Sequence, residues 1–180
     1  TTHELDTTQP LQFTPGRALT IRAGQRHRPT ILLRSSAGTP WTPWLYVKGQ
    51  QGTLCLEGVL LEGGLRVEAG ALDALDIVHS TLLPGHGLDE AGEMRSREPS
   101  IDVLPGNARL EVGIAHSIVG RLRVPPDMER LSVRDSLIRA ADGDLAIAGR
   151  DPGPSWTGGI PRERAKGPAP SPANAAPRES

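Results

Sequence analysis

Aromatic side chains are scarce in this chain: three Trp, one Tyr and one Phe make up 3% of its 180 residues. A compact globule of this size draws much of its core from large rings, so a broad aromatic core is excluded. A single cysteine, Cys55, excludes an internal disulfide and any cysteine-based metal cluster. Charge of one sign is not in excess: 20 basic and 21 acidic residues give a net charge of −1. With no basic stripe and no interleaved aromatics, the sequence lacks the electrostatic footprint of a nucleic-acid binder. No apolar run approaches the roughly 18 residues that span a bilayer as a helix. The chain opens Thr1-Thr2-His3, with neither an initiator Met nor a secretory apolar segment. It reads as a fragment or a processed product, and its localisation cannot be taken from this end.

What is present is aliphatic and periodic. Leu54-Cys55-Leu56-Glu57-Gly58-Val59-Leu60-Leu61 aligns with Leu75-Asp76-Ile77-Val78-His79-Ser80-Thr81-Leu82-Leu83, 21 residues later. Leu110-Glu111-Val112 with His116-Ser117-Ile118-Val119 aligns with Leu131-Ser132-Val133-Arg134-Asp135-Ser136-Leu137-Ile138, again 21 residues on. A second element recurs between them, as Gly64-Leu65-Arg66-Val67 and Arg121-Leu122-Arg123-Val124. Each triplet turns two apolar residues one way and a polar residue the other, which is strand alternation. Strands this short cannot close a core singly, but stacked at a repeat of about 20 residues they bury a continuous aliphatic column.

The expected fold is therefore all-β: a right-handed parallel β-helix over residues 1–149, its hand set by the preference of parallel crossovers. A leucine-rich repeat would require an Asn at a fixed place that is missing here. An antiparallel sandwich would not keep Leu-Arg-Val in one phase. Ala18–Arg22, Thr30–Leu33 and Trp44–Val47 read as earlier, less regular turns. Residues 86–100 read as a charged loop projecting from one turn. Residues 150–180, rich in Pro, Ala and Gly, read as a disordered tail or linker.

The runs Pro29–Leu33, Leu56–Val67 and Leu75–Gly85 resemble β-helix repeat proteins of the pectate-lyase-like superfamily. More narrowly, they are similar to large bacterial multidomain proteins, some of them phage-tail-like or surface assemblies. That resemblance covers residues 14–149 and implies a fold; the superfamily includes lyases, hydrolases, adhesins and inert spacers alike.

Candidate chemistry is sparse. Gly85-His86-Gly87 resembles a turn of polygalacturonase-type hydrolases, but the companion Asn-Thr-Asp, Asp-Asp and Arg-Ile-Lys motifs are absent. His86 and Asp102 are the weak catalytic candidates. Asp76, Asp102, Glu111 and Asp135, with Arg66, Arg123 and Arg134 on a shared face, are the groups that a lyase or an anionic-glycan groove would draw on. Arg66 and Arg123 are expected in one column on different turns. His79-Ser80 and His116-Ser117 point to opposite faces, so neither pair works as base and nucleophile. Ser80, Ser117 and Ser136 are expected to form an inward polar ladder or a bend in each turn. Trp41 and Trp44 are expected to cap the stack, or alternatively to stack on a sugar.

No cofactor or metal site is legible. The expected role is a non-enzymatic structural or docking module of a larger bacterial protein, with other domains or subunits as partners. The alternatives are a polysaccharide lyase or hydrolase and a glycan-binding β-helix using Trp41, Trp44, Arg66 and Arg123.

Overall fold

A computed structural model describes residues 1–7, 9–34, 43–84, 98–139 and 145–149. Among them every regular element is a strand. The first turn holds β1 (Thr2–Asp6), β2 (Leu11–Phe13) and β3 (Ala18–Arg22), and the second β4 (Thr30–Arg34), β5 (Trp44–Gly49) and β6 (Gly52–Glu57). The third holds β7 (Leu60–Glu62), β8 (Gly64–Val67) and β9 (Leu72–Val78), and the fourth β10 (Thr81–Leu83), β11 (Ile101–Val103) and β12 (Glu111–Ala115). The fifth holds β13 (Ile118–Val119), β14 (Leu122–Val124) and β15 (Arg130–Arg134), and the chain continues into β16 (Leu137–Ile138) and β17 (Ile147–Gly149).

Successive strands are dealt in strict rotation to three parallel sheets. Sheet A is β1-β4-β7-β10-β13-β16, sheet B is β2-β5-β8-β11-β14-β17, and sheet C is β3-β6-β9-β12-β15. This is a parallel β-helix with three sides, in agreement with the repeat. The spacing works because stacking aligns like positions. Leu54, Leu75 and Val112 form one inward column of sheet C, and Leu56, Ile77 and Ile114 another. Sheet B contributes Leu45, Leu65, Ile101 and Leu122, and sheet A contributes Leu61, Leu82 and Val119. All of these are at most 2% exposed. Each such side chain contributes about 1.5–3 kcal/mol by leaving water, so the narrow aliphatic core needs no rings.

Two expectations change in detail. Leu131 lies opposite Val112, not Leu110, so the last full turn is two residues shorter than the aligned repeat. A shift of two keeps every side chain on its own face, which is why alternation alone does not reveal it. Trp44 does not cap an end of the stack: it lies on β5, which is bonded to β2 on one side and β8 on the other. Trp41, His86, nearly all of the expected 86–100 loop and the expected tail lie outside the described residues.

The corner from sheet C to sheet A is the most regular joint. Gly58, His79, His116 and Asp135 occupy it in successive turns, with φ of 72°, 49°, 50° and 47°. This left-handed conformation reverses the side-chain phase, so the following residue turns inward. Ser80 and Ser117 are that residue, 2% and 3% exposed. The N–H of Val59 donates to Ser80 Oγ (3.2 Å), that of Ser80 to Ser117 Oγ (3.1 Å), and that of Ser117 to Ser136 Oγ (3.0 Å). Each hydroxyl in turn donates to the carbonyl two residues before it, of Val78, Ala115 and Arg134. The serine column is thus the expected polar ladder. Ser117→Ala leaves the buried Ser80 N–H without its acceptor and is expected to cost about 2 kcal/mol, read as a lower thermal midpoint.

Candidate functional site

A cluster of charged and aromatic groups lies on the outer face of sheet B. On β8, β11 and β14 the register sets Arg66 beside Asp102 and Asp102 beside Arg123. The neighbours Leu65, Val67, Ile101, Val103 and Leu122 face the core, so alternation turns the three charged residues outward. Asp102 is fully buried between its partners, while the Arg66 and Arg123 side chains are 25% and 30% exposed.

The contacts are specific. Arg123 grips the carboxylate with both arms, Nε to Oδ1 and Nη2 to Oδ2, each at 2.9 Å. Arg66 Nε donates to Oδ2 at 3.0 Å from the other side. The bond to Asp102 raises the pKa of Arg123 above its ordinary value, against the opposing effect of burial. Glu98 adds a second carboxylate 3.8 Å from Arg123 Nη2. Two guanidinium groups and two carboxylates leave this patch without net charge.

The expected arginine column is therefore present, and a carboxylate locks it. Arg134, placed by sequence on the same face, belongs to sheet C instead.

Above the triad the column becomes aromatic. The Arg66 guanidinium lies 4.2 Å from the centroid of Trp44 and 5.9 Å from that of Tyr46, and Lys48 Nζ lies 5.7 Å from Tyr46. Trp44 is only 9% exposed and stands outside the aliphatic core cluster. It spreads over Gly64, where a Cβ would come within 2.5 Å of the indole. Glycine at position 64 is what lets the ring lie flat against the sheet. Trp44 and Arg66 thus meet, but by covering each other. A sugar reaches the indole only after Arg66 moves away.

The remaining carboxylates do not converge on this site. Asp76 and Glu111 are on sheet C, where Glu111 pairs with Arg130. Asp135 sits at the corner, 4.0 Å from His116 Nδ1. The rings of His79 and His116 stack with centroids 4.9 Å apart and planes 10° from parallel. Both are exposed, while Ser80 and Ser117 point inward, so the separation of base from hydroxyl holds. Among the described residues no three His, Cys, Asp or Glu side chains gather where one metal ion could bind. Cys55, half-buried on β6, has its thiol pKa raised by burial and then by Asp76 and Glu57.

Two buried polar residues were not legible in the repeats. Asn107 accepts from the Gly70 N–H at 3.0 Å and donates to the carbonyls of Glu68 (3.1 Å) and Leu104 (2.7 Å). Ser100 accepts from the Gly120 N–H and donates to the Leu82 carbonyl, both at 3.0 Å. The turn Pro105-Gly106-Asn107 was the available signal for the first; Ser100 follows an interruption of the period and carried none.

No family model, no curated protein and no solved structure matches this chain. Among the described residues no helix is long and apolar enough to cross a membrane.

Proposed function

We propose that this chain is a non-catalytic β-helix module, a rigid spacer and docking element within a larger assembly. The observation that carries the reading is the Arg66–Asp102–Arg123 triad. Its carboxylate is fully buried and held by four arginine nitrogens, so it is not placed to take a proton from a substrate. A hydrolase needs two carboxylates on opposite sides of a glycosidic bond. Here the candidate carboxylates Asp76, Asp102, Glu111 and Asp135 are distributed over two sheets and a corner and do not converge. Polar side chains that in an enzyme would face a cleft instead join one turn to the next. The resemblance to pectate-lyase-like bacterial proteins agrees with the architecture and, within that superfamily, with its spacers.

The test is incubation with a panel of acidic and neutral polysaccharides, scored for new reducing ends and for unsaturated uronates. No turnover on any substrate is expected. Turnover that disappears in His86→Ala or Asp102→Asn would replace this reading with that of a polysaccharide lyase or hydrolase. Retention on a glycan matrix that is lost in Trp44→Ala would replace it with a glycan-binding module.

A further inference from the structure

The two ends of the solenoid are complementary. At one end β1, β2 and β3 each pair along a single edge, and at the other so do β17, β16 and β15. Their inward aliphatic residues continue the core columns, and among the described residues no further turn covers them. Leu5 and Leu19 are 39% and 36% exposed at the first end, and Val133 and Ile147 are 40% and 43% exposed at the second. One turn inside, the corresponding Leu33, Leu54, Ile114 and Leu122 are at most 1% exposed.

The winding specifies what fits. The last described strand lies on sheet B, so the next place in rotation is on sheet C, over β15. A second copy entering there puts its β1 on β15, its β2 on β16 and its β3 on β17, with no place skipped. β1 and β15 are both five residues long. In register they set Leu5 against Val133 inward, and Asp6 against Arg134 outward. Glu4 then falls diagonally between Arg130 and Arg134, all exposed.

The same device already joins turns within the chain. Glu4 reaches Arg34 diagonally at 3.0 Å, Arg22 meets Glu57 at 2.7 Å, and Arg130 meets Glu111. Moreover β3 (Ala-Leu-Thr-Ile-Arg) and β15 (Arg-Leu-Ser-Val-Arg) have one pattern, and the strand stacked on β3 ends in an acid, Glu57. β1 likewise ends in one, Asp6.

We propose that the chain stacks head to tail on further copies of itself, the acidic strand β1 of one on the basic strand β15 of the next. The inference rests on the structural reading above and names the partner. Only this polarity keeps the sheets parallel. Joining two like ends would make the pairing antiparallel and set Arg134 against Arg130, or Glu4 against Glu4, which is unfavourable. The contact is heterologous and does not close on itself, so it builds linear stacks.

The experiment is sedimentation velocity on the full 180-residue chain across a concentration series. Mass is expected to rise with concentration in whole multiples of one chain, and less so at high salt. Arg134→Glu and Asp6→Arg, both at exposed positions, are each expected to weaken assembly by about tenfold or more, while circular dichroism shows each variant still folded. An equimolar mixture of the two variants restores it, because the acid introduced in one then meets the base introduced in the other. A folded chain that stays single at every concentration overturns the proposal. So does assembly indifferent to both substitutions, or a mixture that fails to recover. None of these outcomes bears on the polysaccharide assay, so stacking and the non-catalytic reading fail separately.

Discussion

Asp102→Ala is expected to lower stability by about 3–4 kcal/mol, measured as a shift in the urea midpoint at unchanged slope. The cause is the loss of an acceptor rather than of packing volume. Four arginine nitrogens lie within 3.0 Å of a carboxylate that water does not reach. Removing it leaves two guanidinium groups facing each other across one strand. Their remaining exposure of 25% and 30% lets water relieve part of that cost, which places the effect at the lower end of the range for broken buried pairs. Asp102→Asn retains an acceptor and the shape, and should lose less. The triple variant Arg66→Met, Asp102→Leu, Arg123→Met should recover most of the loss, because it removes the burial of charge along with the attraction. Recovery to wild-type stability would show that the triad specifies register more than it stabilises the fold.

A comparable loss, at least about 3 kcal/mol, is expected for Gly49→Ala, although the change adds one methyl group. Gly49 has φ 115°, outside the range that L side chains readily adopt. Its added Cβ would lie 2.0 Å from the Phe13 carbonyl oxygen. That atom belongs to the backbone of the adjacent strand, which is held to β5 by its own ladder, so it cannot swing aside as a side-chain tip would. Relief requires β2 and β5 to part, opening sheet B at the chain's one Phe. Thermal unfolding followed by circular dichroism checks this. A midpoint within a degree or two of wild type would mean that the first turn is loosely attached and gives way readily.

The fold was legible because its determinants are local and repeated. Leu-x-Val triplets state strand and face, and their recurrence states stacking. The column shared by Arg66 and Arg123 followed from the phase of two such triplets. Asp102 was visible as a residue but not as their partner. Its strand, Ile101-Asp102-Val103, follows the longest interruption of the period and does not repeat the Leu-Arg-Val signature. The first two strands were less visible still. On β1 all five residues are exposed, so hydrophobic alternation hardly marks it; it is acidic on the outward side, and its register comes from pairing with β4. The corner histidines looked like candidates for chemistry because a sequence does not display φ. Once Gly58, His79, His116 and Asp135 share one left-handed position, the serine after each of the last three has its explanation in the bond its hydroxyl accepts from the turn before.

From Glu57 onward the corner between sheets C and A takes two residues each time: 58–59, 79–80, 116–117 and 135–136. Between sheets A and B the chain uses Gly63 alone in one turn and residues 84–100 in the next. Tolerance of insertions is thus segregated by edge. The sequence added between β10 and β11 alters no ladder on either side of it, whereas a single residue added at the corner 79–80, 116–117 or 135–136 would turn the serine there out of line. Over evolutionary time such a molecule can acquire new surface along one side while its frame stays fixed.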